Sequence, residues 1–251
     1  MKPASETLQH APPKTAAELA PFIDHTLLKA DATESMIERL CLEAVQYKFH
    51  AVCVNSAHVA YARGILLREK ERLGTKFHPV HIASVVGFPL GAMTAQSKAF
   101  EASEAAKNGA TEIDMVMRID LAKTGDFGRL SDDIASVVQS VEGKAIVKVI
   151  LETGLLTLEE IARSSRAADA AGAHFVKTCT GFSTAGFPAG AATTEHVALM
   201  RESVRPSVQV KASGGVKTFE AARALILAGA DRIGTSSGVA LVTGQTPGAG
   251  Y

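Results

Sequence analysis

The sequence predicts an α/β protein whose strands and helices alternate to form a single TIM-type (β/α)8 barrel. Eight short apolar runs alternate with helical segments, and eight such units are the number that closes this barrel. The length of 251 residues suits one large α/β domain. A doubly wound open sheet is the alternative, but the sequence lacks the early GxGxxG fingerprint that is typical of that fold.

The predicted strands are short runs rich in Val, Ile and Ala, each bounded by polar or turn-forming residues. They centre on Phe22–Asp24, Ala51–Val54, His81–Val86, Glu112–Met115, Ala145–Ile150, Phe175–Lys177, Val208–Lys211 and Arg232–Gly234. Successive runs lie about 30 residues apart, which is the length of one βαβ unit.

Helical periodicity and end signals mark the segments between the strands. An apolar stripe that starts at Ile37 predicts an amphipathic helix after the first strand. Thr15 with Glu18, and Thr157 with Glu160, have the spacing of capping boxes. Helices are expected to stop at four glycines, which suit the left-handed position after a helix: Gly74, Gly109, Gly172 and Gly229.

A weak internal repeat relates three of these units. They share a helix stop, a turn, a strand and a special sixth residue: Gly109–Asp114, Gly172–Lys177 and Gly229–Gly234. Equivalence would place Asp114, Lys177 and Gly234 near the carboxyl ends of their strands, where TIM barrels hold their active sites.

Composition limits the classes of partner. The 26 basic and 26 acidic side chains balance, so nothing global indicates nucleic acid, and no apolar run is long enough to span a membrane. Three scattered cysteines suit a reducing cytosol, which predicts a cytoplasmic protein. We expect a loose leader at residues 1–14, the barrel at 15–243 and a mobile tail at 244–251.

Two lysines, Lys177 and Lys211, end apolar runs and lead directly into small and hydroxyl residues. Burying an ammonium group is unfavourable, so such positions indicate a function. About one βαβ repeat separates them, which predicts neighbouring strands that aim both amines at one cavity. A second cation disfavours the charged form of the first and lowers its pKa, and this makes an amine nucleophilic near neutral pH.

A third lysine and further carboxylates accompany this pair. Strand alternation turns Asp114 inward with Glu112, and turns Lys148 inward on the next strand. Asp114 has no immediate turn to cap, so we favour a proton-shuttling role for it, whereas Asp24 suits a cap equally well. For Lys148 we favour a structural ion pair with Asp114 or Glu152. Residue types and spacing do not choose the nucleophile among the three lysines.

Glycine-rich loops follow the last two predicted strands, at Ser213–Thr218 and Gly234–Gly238. TIM barrels commonly hold a phosphate there, because glycines let consecutive backbone N–H groups approach an anion. Ser236 and Ser237 add hydroxyl donors. Ordinary turns are the alternative for either loop alone, and two such loops after adjacent strands favour phosphate.

No metal site or catalytic thiol is indicated. The eight histidines show neither HxH nor HExxH spacing, so we expect no metal. Cys53 ends a strand as a small core residue at a position suited to line a pocket, and no histidine or cation is evident beside it.

Several motifs together point to one known family. The most specific are Lys177-Thr178-Cys179-Thr180-Gly181 and Lys211-Ala212-Ser213-Gly214-Gly215. Further matching segments are Ile23–Thr26, Val52–Asn55, Val86–Gly91, Glu112–Asp114, Lys148–Gly154 and Gly234–Ser237. Over residues 22–240 the sequence resembles the deoxyribose-phosphate aldolases.

The resemblance implies a class I aldolase that cleaves 2-deoxy-D-ribose 5-phosphate to glyceraldehyde 3-phosphate and acetaldehyde in deoxyribose catabolism, without a cofactor. It implies that Lys177 forms the Schiff base, that Lys211 perturbs it, and that Asp114 relays protons. In the mechanism that we expect from these groups, Asp114 moves protons through a water molecule or through Lys148. Tyr251, the last residue, is implied in proton transfer. The expected partners are small aldehydes and phosphosugars, and we expect a homo-oligomer, with a dimer favoured.

The resemblance also implies a set of substrate and phosphate contacts. Its members are Thr180, Gly181, Gly214, Gly215, Gly234, Ser236 and Ser237, to which we add Asp24, Thr26 and Cys53. There are two departures: Cys179 stands where a serine is common, and Phe182 stands where some members carry a phosphate-binding lysine. We expect either a weaker affinity for phosphate or a greater reliance on the two glycine-rich loops.

Two rival functions fit the same loops. One is a phosphosugar isomerase or synthase that uses acid–base catalysis alone. The other is a non-catalytic phosphosugar-binding protein. The joint presence of Asp114, Lys148 and Lys177 disfavours it, because charges at strand ends are costly without a function.

Overall fold

The fold is a closed barrel of eight parallel strands, seen in a computed structural model that describes residues 11–182 and 190–245. Each strand pairs with its neighbours in chain order, and β1 closes the barrel against β8. The strands are β1 (Ile23–Thr26), β2 (Ala51–Asn55), β3 (His81–Val86), β4 (Glu112–Val116), β5 (Ile146–Ile150), β6 (Phe175–Lys177), β7 (Gln209–Ser213) and β8 (Arg232–Thr235). The predicted TIM barrel is confirmed, and the open sheet is wrong.

Helices surround this barrel. In the described residues the α-helices are α1 (Glu34–Tyr47), α2 (Val59–Leu73), α3 (Ala95–Asn108), α4 (Ile119–Lys123), α5 (Phe127–Ser140), α6 (Leu158–Ala170), α7 (Thr194–Ser203), α8 (Phe219–Leu227) and α9 (Gly238–Thr243). Short 3-10 helices lie at Ala16–Phe22, Ser56–His58, Gly74–Lys76 and Thr153–Leu155.

The apolar core lies between the strands and the helices. In α1 the predicted stripe, including Ile37, is buried against the barrel. The outward side chains of β5, Val147 and Val149, belong to the same core. Because side chains alternate along a strand, Lys148 between them faces the barrel interior. Strand alternation therefore separates the two faces: apolar side chains pack against the helices, and charged side chains face the barrel interior.

The predicted helix ends are largely confirmed. Thr157 Oγ1 accepts a hydrogen bond from the Glu160 backbone at 3.2 Å, and Glu160 Oε2 accepts one from the Thr157 backbone at 2.8 Å. All four predicted stop glycines have positive φ: Gly74, Gly109, Gly172 and Gly229.

The capping box predicted at Thr15 is wrong. The Thr15 side chain makes no capping hydrogen bond, and Glu18 instead accepts from the Lys14 backbone at 2.8 Å. Pro21 lies inside the segment, which forms a 3-10 helix rather than an α-helix. Proline has no N–H to donate and resists the interior of an α-helix, so the box has no regular first turn to cap.

The predicted leader and tail are only partly described. Residues 1–10, and residues 246–251 with Tyr251, lie outside the described residues. The division at 1–14, 15–243 and 244–251 stays a proposal. Within the described ranges, no helix is both long enough and apolar enough to cross a membrane.

Candidate active site

Asp114 is the central carboxylate of the barrel interior. Its Oδ1 accepts a hydrogen bond from Lys148 Nζ at 2.6 Å, and its Oδ2 accepts from Lys177 Nζ at 2.7 Å and Lys211 Nζ at 2.8 Å. Burial would raise the pKa of Asp114, but the three ammonium groups outweigh it and hold that pKa well below its usual range. The structure thus brings together the three lysines and the carboxylate that the sequence singled out.

Two further carboxylates, Asp24 and Glu112, pair with these lysines and with Arg232. Asp24 Oδ2 accepts from Lys211 Nζ at 2.5 Å, and its Oδ1 accepts from Arg232 at 2.8 Å. Glu112 lies 2.6 Å from Lys148 Nζ and 3.4 Å from Arg232. Burial raises the pKa of Asp24, but Lys211, Arg232 and Lys148 together lower it to about 2.

These residues form one buried network, which we call the inner cluster. It consists of three carboxylates and four basic side chains, from Asp24, Glu112, Asp114, Lys148, Lys177, Lys211 and Arg232. All seven are at most 3 % exposed. If all seven were ionised, the inner cluster would hold one surplus positive charge.

The pKa shifts point to the lysine that carries this surplus. Burial lowers the pKa of Lys177; the Asp114 carboxylate opposes the shift, and Lys211 adds to it. Burial acts in the same direction on Lys148 and Lys211, but their carboxylate neighbours outweigh it and raise both pKa values. Lys177 is therefore the amine of the three that loses its proton most readily.

Lys177 also differs from the other two lysines in access, because it lines a cavity of about 220 Å³. The walls of this cavity come from the loops after β1, β6, β7 and β8. Of the predicted contacts, the structure places these on the cavity wall: Thr26, Thr180, Gly181, Gly214, Gly215, Gly234, Ser236 and Ser237. A ligand in the cavity would thus touch the Lys177 amine and both glycine-rich loops.

Two of the glycines are required by close approach. A Cβ at Gly214, where φ is +104°, would lie 2.3 Å from the Gly190 carbonyl oxygen. A Cβ at Gly234 would lie 2.3 Å from Ser213 Oγ and 3.0 Å from Lys211 Cε. Any larger residue at Gly234 would press directly on the inner cluster.

Asp24 and Cys53 lie outside the cavity wall. Asp24 is fully buried between Lys211 and Arg232, so the structure gives it a charge partner in place of the turn that we considered. Cys53 is fully buried in a small apolar cluster with Ala83 and Val85. Burial raises the pKa of the Cys53 thiol, which keeps it protonated.

The predicted alternative partner of Lys148, Glu152, is wrong. β5 ends at Ile150, and Glu152 adopts a left-handed backbone with φ of 59°. Strand alternation therefore stops before Glu152, whose carboxylate accepts a hydrogen bond from the Thr180 backbone at 3.0 Å. Lys148 instead pairs with Asp114 and Glu112, each at 2.6 Å.

The two departures from the family pattern occupy different places. Phe182 lines the cavity and meets Phe88 edge to face, with ring centroids 5.1 Å apart. Cys179 is fully buried, and its Sγ lies 3.3 Å from Thr153 Oγ1. Only Phe182 of the two is placed to touch a ligand.

Three charged residues of the site were not singled out from the sequence, whereas strand alternation had already turned Glu112 inward. Of these three, Arg232 belongs to the inner cluster, and Lys29 and Lys217 line the cavity. Strand alternation could have predicted an inward Arg232, because it precedes Gly234 by two positions and so lies on the same face of the strand. Lys29 and Lys217 are exposed loop lysines, for which the sequence holds no comparable signal.

Tyr251 lies outside the described residues. Among the residues that the structure describes, no group of three His, Cys, Asp or Glu side chains converges so as to hold a metal ion.

Comparison with known proteins decides the family. The sequence profile of the DeoC/LacD family of aldolases matches residues 19–243. The chain belongs to this family. A curated deoxyribose-phosphate aldolase from Exiguobacterium sibiricum is 51% identical over 93% of this chain and 99% of its own length. One from a Geobacillus species is also 51% identical, over 93% of this chain and 98% of its own.

A solved structure supports the same grouping for this DeoC/LacD family member. The deoxyribose phosphate aldolase of Aeropyrum pernix, described as a unique tetramer, superposes with a TM-score of 0.80. It is 31% identical, and the match covers 92% of each chain.

Proposed function

We propose that the protein is a class I aldolase that cleaves 2-deoxy-D-ribose 5-phosphate to D-glyceraldehyde 3-phosphate and acetaldehyde. The observation that carries this proposal is the Lys177 amine, which lines the cavity and has a lowered pKa. It donates a hydrogen bond to Asp114 at 2.7 Å. An amine that faces a cavity and loses its proton more readily than an ordinary lysine is suited to form a Schiff base. The relatives that share about half of the sequence carry this activity in their names.

The proposed reaction begins with attack of neutral Lys177 on the C1 aldehyde of the open-chain sugar. The carbinolamine gains a proton on its hydroxyl and loses water to give an iminium ion. Loss of the proton from the C3 hydroxyl breaks the C2–C3 bond, and its electron pair moves to the iminium nitrogen to form an enamine. Glyceraldehyde 3-phosphate departs with the C3 carbonyl.

Protonation of the enamine carbon and addition of water then release acetaldehyde and regenerate Lys177. Asp114 contacts all three lysines, so it is placed to accept and return these protons, directly or through a water molecule. We propose Tyr251 as the donor to the enamine carbon, on the basis of the family resemblance alone. Lys211 has the role of keeping Lys177 partly neutral, and Lys148 that of orienting Asp114.

The phosphate of the substrate is proposed to bind at the glycine-rich wall of the cavity. Gly214 and Gly215 both have positive φ and carry no side chain, so the backbone of this loop can approach an anion closely. The hydroxyls of Ser236 and Ser237 and the ammonium of Lys217 line the same cavity. These groups supply donors and charge where Phe182 does not.

Release of acetaldehyde from deoxyribose 5-phosphate tests the proposal. Turnover by the purified protein is expected, and its absence would leave the non-catalytic phosphosugar-binding protein. Isomerisation or condensation of phosphosugars without release of acetaldehyde would favour the acid–base rival. Because the proposed chemistry needs only side chains, dialysis against EDTA should leave the rate unchanged.

Assembly and location are also part of the proposal. We propose a homo-oligomer, with a dimer as the expected form, although the Aeropyrum pernix relative is described as a tetramer. Light scattering after size-exclusion chromatography separates these states. We propose a cytosolic location, since all three cysteines are free and buried as expected in a reducing compartment.

A further inference from the structure

Arg232 lies at the bottom of the inner cluster, away from the cavity wall. It starts β8, is 2% exposed, and stands beside Lys211 in the register of β7 and β8. Its Nη1 donates to Asp24 at 2.8 Å and to Glu112 at 3.4 Å. One guanidinium nitrogen thus links two carboxylates that approach from different strands.

The titratable groups around Lys177 come from six strands. Asp114 on β4 contacts its amine directly, and Lys211 on β7 donates to the same Asp114 oxygen. The buried Cys53 thiol faces it from β2. Behind these lie the remaining groups of the inner cluster: Asp24 on β1, Glu112 on β4, Lys148 on β5 and Arg232 on β8. His50, which lies just before β2, is 3.4 Å from Glu112.

The positive charge of Arg232 sets the charge balance of the inner cluster. With Arg232, four basic groups face three carboxylates, so one lysine is left without a full counter-charge. Without Arg232, three lysines would face three carboxylates, and every lysine could keep its proton. Arginine suits this role because it stays protonated in proteins at all accessible pH values.

We propose that Arg232 is a positioning residue which neutralises Asp24 and Glu112 below the cavity and thereby makes Lys177 the surplus cation that releases its proton. The inference rests on the proposed function for the nucleophilic role of Lys177. The effect on the Lys177 proton is a property of the folded protein and is measured separately from turnover.

Competitive labelling with acetic anhydride tests this inference, because the reagent acetylates only free amines and peptide mass spectrometry reports Lys177 alone. Arg232→Met should raise the midpoint pH of Lys177 labelling by about one unit, which is tenfold less free amine near neutral pH. Glu112→Gln removes a carboxylate and should lower the midpoint. The double variant should return the midpoint towards that of the unaltered protein, because the surplus is restored.

Arg232→Lys is the matched control, since it keeps the charge and should leave the midpoint nearly unchanged. Shifts of the same sign in Arg232→Met and Glu112→Gln, or no shift in either, would overturn the proposal. If Arg232→Met does not fold, Glu112→Gln decides alone: a lowered midpoint supports the proposal, and an unchanged one contradicts it. If the labelling shifts appear but acetaldehyde is not released, the proposed function fails and the role of Arg232 stands.

Discussion

Lys98 and Lys177 are both buried and both paired with a carboxylate, but they differ in their surroundings. Lys98 of α3 donates to Asp133 of α5 at 2.8 Å and to the Val116 carbonyl at 2.9 Å. Lys177 of β6 donates to Asp114 at 2.7 Å. Burial lowers the pKa of both lysines, and a carboxylate opposes the shift in each case.

The difference lies in charge balance and access. Lys98 is fully buried in a one-to-one pair with Asp133, outside the barrel. Lys177 belongs to the inner cluster, in which basic groups outnumber carboxylates, and it lines the cavity. A depressed lysine pKa is therefore not sufficient to mark an active site, and a surplus cation that opens on a cavity is the better indicator.

Removing the Lys177 amine should have the largest effect on activity. Lys177→Met is expected to lower kcat/KM for deoxyribose 5-phosphate at least about 1,000-fold, because the nucleophile is lost. The free energy of unfolding at pH 7 should stay the same or rise. The folded state binds the Lys177 proton less tightly than the unfolded state, so this residue opposes folding below its unfolded pKa. Activity assays and urea unfolding of the same samples measure both effects.

Removing the Lys98 amine should have the opposite pattern. Lys98→Met leaves the Asp133 carboxylate buried without its counter-charge, which is expected to cost about 3–5 kcal/mol of unfolding free energy. Activity per folded molecule should change little. The double variant Lys98→Met with Asp133→Leu should recover most of the stability, because an apolar pair needs no counter-charge. A loss of activity in folded Lys98→Met comparable to that of Lys177→Met would contradict the distinction between a structural Lys98 and a catalytic Lys177.

Lys211 should act on Lys177 through charge. Burial and Lys211 both lower the pKa of Lys177, so Lys211→Met should raise that pKa. Activity at neutral pH is then expected to fall roughly tenfold and to recover as the pH increases. Profiles of kcat/KM against pH measure the shift of the acidic limb. Lys217→Met, which removes a cavity lysine outside the inner cluster, should weaken substrate binding without moving that limb.

Strand alternation predicted much of this site, because it reports the direction of a side chain from local sequence. It turned Asp114 and Lys148 inward, and the repeat placed Lys177 at the end of its strand, as the structure shows. Alternation does not report which residues meet across a closed barrel. Asp24 and Arg232 lie 208 positions apart and meet only because β1 pairs with β8.

The remaining errors arose where the backbone leaves a regular element. Glu152 follows the end of β5 in a left-handed conformation, so its carboxylate leaves the face that alternation assigned to it. Pro21 prevented the regular turn expected after Thr15. In both places a pattern was extended beyond the element that supports it.

Phe182 should have the smallest effect, confined to the phosphate. Phe182→Lys adds a cation to the cavity wall and is expected to lower KM for deoxyribose 5-phosphate about threefold. Phe182→Leu removes the ring that packs on Phe88 without adding charge, and serves as the control. Unphosphorylated deoxyribose should show no gain with Phe182→Lys, and an equal gain for both sugars would contradict a phosphate contact.

The most direct test of the central claim is reductive trapping. Borohydride added with acetaldehyde should reduce the Schiff base and leave one ethyl group on the protein, and peptide mapping should locate it on Lys177. Lys148, Lys211 and Lys98 should stay unmodified, because carboxylates hold the first two as ammonium ions and the last does not line the cavity. An ethyl group on Lys148 or Lys211 in place of Lys177 would contradict the account.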